Sequence, residues 1–245
     1  MNLVDPEGLE WYFYSKDGVS SPTWNWRNES EWHTGKYGID GKEIVLKGTS
    51  AVVRFVGDRN EKLGEDGSIN GEGAINATVI VYGPNGEDDI HVFTGYTMTS
   101  DADKFGPVDE GLYDGNYSIY SKSGKLTSHW VVNQGGKVRM MDGKVNPNAP
   151  KQFDYKINEG YKIGIWIHST FENGRATGRT STGCLLIHDK DWNRFNEVMS
   201  GVKKFKVSVE RKVGEMYQLI KSWRKFWPIR YDAKLYKRYD VIKRD

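Results

Sequence analysis

Short apolar and β-branched runs, each closed by glycine-rich turns, set the rhythm of this chain and predict strands. Residues 77–82 form the sharpest such run. They are stopped by Gly83-Pro84-Asn85-Gly86, and 90–97 reads as the partner in a hairpin. A second pair, 116–120 and 128–132, is arranged about Ser123-Gly124. Upstream, 11–14 is an aromatic strand after the turn Asp5-Pro6-Glu7-Gly8, and 43–46 and 51–56 are strands separated by Lys47-Gly48-Thr49. The polar, glycine-rich stretch 58–73 reads as a linker. Downstream, 163–168 and 184–187 are short buried strands flanking a polar loop.

The period changes at Asp189, which is placed to cap a short helix whose Trp192, Phe195 and Met199 share one face; Gly201 ends it. Phe205, Val207 and Val209 then alternate as a strand, and Val213, Met216, Tyr217, Ile220 and Trp223 form a helical stripe closed before Pro228. The fold class is mainly β (α+β), with two or three helices and no internal repeat.

Composition supports that picture: 9 Trp, 14 Tyr, 9 Phe and 28 Gly against 7 Pro suit short strands better than a helix bundle. The formal charge of +2 hides an asymmetry, because the segment from Arg211 onward is strongly basic and the remainder slightly acidic. No apolar stretch is long enough for a transmembrane helix, and the first residues have neither the basic nor the apolar region of a secretory signal. The chain has one Cys, which excludes an internal disulfide and a Cys-based zinc site without several His partners. Cys184 is therefore either a buried hydrophobe or a reactive thiol.

The segment from Ile167-His168-Ser169-Thr170 to Ser181-Thr182-Gly183-Cys184 carries the candidate chemistry. An apolar strand delivers His168 to its C-terminal edge, and a loop with Gly174, Arg175, Gly178 and Arg179 returns the chain to Cys184. A free thiol with a pKa near 8.5 is only about 3% thiolate at neutral pH, so a neighbouring imidazole raises the nucleophilic fraction. Gly183 permits a turn that aims the Gly183 and Cys184 N–H groups at one spot, as a tetrahedral oxyanion requires.

His168-Ser169, the glycine-containing loop and Ser181-x-Gly183-Cys184 resemble the signature of L,D-transpeptidases of the YkuD type. Val79 to Tyr82, Gly95-Tyr96 and the run from Pro107 through Gly111-Leu112-Tyr113 to Ile119 are similar to that family's early strands and hairpin entry. The resemblance covers about residues 76–200. It implies a mixed β-sandwich with short helices and acyl transfer on peptidoglycan stem peptides, without a cofactor or metal. Cys184 would attack the carbonyl before the terminal D-alanine, His168 would be the base, and the Ser169 carbonyl would orient its other nitrogen. Ser181, Thr182, Gly183 and Cys184 would line the oxyanion site. Thr182 stands where the family has His, and Leu186 where an Arg often follows the Cys. Substrate carboxylate recognition would then fall to Arg175, Arg179 or Arg194 by bidentate pairing, with Trp192 either a substrate platform or a core anchor.

Val4-Asp5-Pro6-Glu7-Gly8-Leu9 resembles the segment that precedes the variable toxin domain of Rhs-type polymorphic toxins. That implies a C-terminal toxin domain, carried on a larger chain by a dedicated secretion system, acting in a competitor's periplasm and neutralised by an immunity protein. The domain reading is a junction at 1–9, a linker or accessory β region at 10–75, a catalytic domain at 76–210 and a basic aromatic helical segment at 211–245. Two alternatives stand beside it. One is a nuclease-type toxin using the basic segment, which has no His from 211 to 245 to serve a metal; no nucleic acid partner is expected on the leading reading. The other is a non-catalytic wall-binding module with Cys184 in its core. His188 is read as a rim residue, His91 and His129 as structural, and Asp88-Asp89 and Asp101-x-Asp103 as solvated turns.

Overall fold

The structure, a computed structural model, describes residues 9–14, 23–29, 31–58, 60–99, 106–122, 125–134, 136–140, 161–170, 181 and 183–212. Its elements in chain order are β1 (Leu9–Tyr14), β2 (Thr23–Asn28), β3 (Glu31–Tyr37), β4 (Glu43–Lys47), β5 (Val52–Asp58), β6 (Ala77–Tyr82) and β7 (Ile90–Tyr96). There follow β8 (Gly111–Lys122), β9 (Lys125–Val132), β10 (Val138–Arg139), β11 (Tyr161–Lys162), β12 (Ile165–Ser169), β13 (Leu185–Ile187), α1 (Asp189–Val198) and β14 (Lys204–Lys212). The mainly β class expected from the sequence is what the structure shows.

Eight strands close into a barrel in the order β12-β13-β7-β6-β5-β14-β8-β9, with β9 returning to β12. The expected sandwich of two facing sheets is thus replaced by one sheet that closes on itself, a solution that leaves no open edge. Closure depends on two parallel pairs, β12 with β13 and β5 with β14, and the other barrel ladders are antiparallel.

The alternation of each strand fills the interior. Val53 and Phe55 of β5, Val79 and Val81 of β6, Ile165 and Ile167 of β12, Leu185 and Ile187 of β13, and Phe205, Val207 and Val209 of β14 belong to one buried cluster. Phe195 of α1 and the C-cap residue Met199 are buried in it too. The Phe195 ring meets Trp130 and Phe93 edge-on, at centroid distances of 5.9 and 6.0 Å. The helix is capped by His188, one residue before the Asp189 cap read from the sequence: the His188 Nδ1 accepts the Lys190 N–H at 3.0 Å. His188 is 2% exposed, so it is an interior cap and not a rim residue.

Two further expectations need correction. β5 lies between β6 and β14, so the barrel begins before the boundary placed at residue 76. The stretch read as a linker is built into the barrel's flank: Glu61, Ser68 and Ile69 are buried, and Lys62 and Ile75 pair across it. The Glu61 carboxylate accepts N–H bonds from Asp58, Thr97 and Met98, and Arg211 binds the Thr97 hydroxyl at 2.6 Å. Burial pushes the Glu61 carboxyl up, against the opposing pull of the Arg211 guanidinium.

The region of Trp, Ser and Asn before residue 41 also supplies β2 and β3. β1 and β2 form a hairpin anchored outside the barrel, where the Trp11 indole donates to the Gly83 carbonyl at 2.8 Å and packs with Trp24, Val52 and Tyr82. The proposed helical segment from 213 onward lies outside the described residues, and Arg211 and Lys212 end β14.

Gly95 of β7 is a point of close backbone approach in the barrel sheet. A Cβ there would lie 2.5 Å from the Leu186 carbonyl oxygen and 2.5 Å from Val79 Cγ2. Backbone cannot yield cheaply, so Gly95→Ala is expected to destabilise by roughly 1–3 kcal/mol. An unchanged urea midpoint would show that the sheet relaxes freely here.

Candidate active site

The parallel register of β12 and β13 sets the site. Ile167 pairs with Leu185 and His168 with Leu186, so Trp166 falls opposite Cys184 one step back along both strands. Ile165, Ile167, Leu185 and Ile187 face the interior. The intervening Trp166, His168, Cys184 and Leu186 therefore share the outer face.

On that face the His168 ring is hydrogen-bonded to Cys184. The Nδ1 atom lies 2.8 Å from the Ser169 carbonyl oxygen. A carbonyl only accepts, so Nδ1 carries a proton and Nε2 is left for the thiol. The expected orienting role of Ser169 is present in this geometry, made by its backbone.

The electrostatics follow. Burial works to lower the His168 pKa, but the hydrogen bond to Cys184 and the charge of its thiolate outweigh it, and the net shift is upward. Burial works to raise the Cys184 thiol, yet the His168 hydrogen bond and charge, a backbone hydrogen bond from Trp166 and the charge of Lys162 bring it below its ordinary value. The two shifts converge on a thiolate–imidazolium pair. Cys184 is half-buried.

Gly183 has φ +130°, a conformation that favours glycine, and it is tightly enclosed. Its N–H donates to the Ser181 hydroxyl at 3.3 Å, and that hydroxyl donates to the Cys184 carbonyl at 2.8 Å. Ser181 is 1% exposed, so it clamps the turn and does not line a substrate surface. One of the two N–H donors assigned to the oxyanion is thereby engaged inside the turn.

The remaining assignments divide. Arg175, Arg179 and Thr182 lie outside the described residues. Arg194 is not brought to the thiol. Its guanidinium lies over the Phe93 ring at 5.6 Å and 3.3 Å from His91 Nδ1, and β7 meets β13 at Gly95 and Tyr96, further along the strand. Trp192 stacks on Phe195 at 5.5 Å and packs against the core, which makes it an anchor and not a platform. His91 holds Asp89 at 2.7 Å, and Asp89 in turn accepts from Asn85 in the hairpin turn. Among the described residues no group of three His, Cys, Asp or Glu side chains could hold a metal ion.

Three neighbours of the pair were not singled out from sequence. The Trp166 ring stacks on His129 of β9 at 4.2 Å, flanking the thiol on one side. Leu186, Tyr96, Met98 and Ile69 form an apolar cluster on the other. Lys162, 3% exposed, sits behind Gly183 and donates to the Gly106 carbonyl at 3.1 Å. Alternation from His168 leads to Trp166; no spacing rule leads to Lys162.

No family model, curated protein or solved structure matches the chain.

Because His168 holds the thiolate, its removal should raise the pH at which Cys184 reacts. In His168→Ala the midpoint of iodoacetamide alkylation against pH is expected to rise by about one unit or more, with burial then unopposed by the imidazolium. An unchanged midpoint in a folded variant would contradict the pairing.

Proposed function

We propose that the protein is a cysteine acyl-transferase of the L,D-transpeptidase kind, acting on peptidoglycan stem peptides. The observation that carries this reading is the His168 imidazole held between the Ser169 carbonyl and the Cys184 thiol on the outer face of the sheet. Those are the nucleophile, base and orienter implied by the motif resemblance.

The Cys184 thiolate attacks the carbonyl carbon of the L-centred bond before the terminal D-alanine. A C–S bond forms and the carbonyl π electrons move to oxygen. As the tetrahedral intermediate collapses, the C–N bond breaks and His168 Nε2 passes its proton to the leaving amine, which departs as D-alanine. An acceptor amine or water then attacks the thioester, returns a proton to His168 and releases the thiolate. An amine acceptor gives a cross-link or D-amino-acid exchange, and water gives L,D-carboxypeptidase action.

The biological setting is part of the same proposal. The Asp5-Pro6-Glu7-Gly8-Leu9 segment supports an Rhs-type toxin domain, exported on a larger chain to a target cell's periplasm and held in check by an immunity protein. No helix among the described residues is long and apolar enough to cross a membrane.

Incubation with purified tetrapeptide muropeptides, followed by mass spectrometry, tests the chemistry. Wild type should remove or exchange terminal D-alanine, and Cys184→Ala should lose that activity by at least about a thousandfold. Activity should fall at low pH as the thiolate is protonated, and fall again as pH rises through the raised His168 pKa and the proton donor is lost. Unchanged muropeptides with wild type, accompanied by nucleic acid degradation, would instead favour the nuclease reading.

A further inference from the structure

Lys162 is a buried ammonium at the foot of the nucleophile's strand. It lies on β11, paired with Val138 of β10, and the chain enters β12 from it through Ile163 and Gly164. Burying an ammonium is costly unless fixed dipoles and negative charge compensate. The Gly106 carbonyl is one such partner. A Cβ on Gly183 would sit 3.1 Å from Lys162 Nζ, 3.3 Å from the Gly106 oxygen and 3.3 Å from Met140 Cε. The absence of a side chain at residue 183 is therefore what lets the ammonium press against the backbone immediately before Cys184.

We propose that Lys162 is a positioning residue that stabilises negative charge at Cys184, first on the thiolate and then on the oxyanion two bonds from the sulfur. The inference rests on Cys184 being the nucleophile. It answers a deficit in the turn, where the Gly183 N–H is spent on Ser181 and a fixed cation supplies the stabilisation in its place. The coupling appears on both partners. Burial pushes Lys162 down to about 8 while the Cys184 thiolate draws it upward, and the Lys162 charge helps lower the thiol. Among the described residues, the other ionisable groups nearby are His168, bonded to Cys184, and Arg139 on β10, which is turned to Asp109 at 2.7 Å. Both charges of the Lys162–Cys184 pair persist only between the lowered thiol pKa and about 8, so the assistance fades above that pH.

The test is the pH profile of Cys184 alkylation in the full chain, with folding followed by circular dichroism. Lys162→Met should raise the alkylation midpoint by about one unit, and Lys162→Arg should restore part of the shift. A folded Lys162→Met with the wild-type midpoint would overturn the proposal and leave the nucleophile reading intact. Should Lys162→Met fail to fold, the coupling is read from the other side, by 13C NMR titration of labelled lysine. Cys184→Ala must then lower the Lys162 pKa below its wild-type value, because linkage is reciprocal. An identical Lys162 titration in the two proteins would overturn it. A wild-type Cys184 inert to alkylation at every pH at which the protein stays folded would overturn the nucleophile reading and this inference together.

Discussion

Parallel pairing between β12 and β13 is the constraint on which the site depends. Two parallel neighbours point the same way, so the chain must leave the end of β12 and cross back before β13 begins. The register, Ile167 with Leu185 and His168 with Leu186, then sets the start of the short β13 against the later part of β12, which brings Trp166 level with Cys184 and His168 one step on. The barrel holds this register on both sides, because β9 is bonded to β12 and β7 to β13. A one-residue slip would turn Ile167 and Leu185 out of the core, so the packing that stabilises the fold also fixes the chemistry.

That arrangement keeps the reacting groups on the outside of a filled barrel. The buried cluster holds Trp130, Phe195 and Phe205, with the Trp130 ring edge-on to the other two. Part of that outer face is itself covered, because Leu186 is buried with Ile69, Tyr96 and Met98. The Glu61–Thr97–Arg211 network ties that flank to β7 and β14, so the wall beside the site is anchored by buried polar bonds and not by apolar contact alone. Around the thiol, the His168 hydrogen bond and charge, the Trp166 backbone and the Lys162 charge act against the cost of burial, and the thiol lies below its ordinary value.

Much of this was legible where periodicity or a local motif carried it. The strand Ala77–Tyr82 coincides with its β-branched run, and the proximity of His168, Ser169 and Cys184 was legible because two short apolar runs flank one polar loop. Strands β2 and β3 were missed because Trp is interleaved there with Asn, Arg and His, polar residues that the exposed β3 tolerates and that β2 satisfies by side-chain bonds such as Asn25 to the Thr23 carbonyl. Residues 58–73 read as a linker because their buried groups are polar, and a carboxylate such as Glu61 gives no hydrophobic signal. Lys162 was invisible for a different reason. Its place beside Gly183 is created by the pairing of β10 with β11 and by a backbone turn, neither of which leaves a spacing in the sequence. Arg194 was drawn into the site by proximity along the chain, whereas α1 directs it to His91.

The central claim is that Cys184 forms a covalent acyl intermediate. Intact-mass spectrometry of the protein, acid-quenched within seconds of mixing with a stem tetrapeptide, tests it most directly. The account predicts a mass increase equal to the stem less its terminal D-alanine, mapped by proteolysis to the peptide containing Cys184 and absent in Cys184→Ala. Turnover of the stem by a protein whose adduct maps to another residue, or by Cys184→Ala at the wild-type rate, would contradict it.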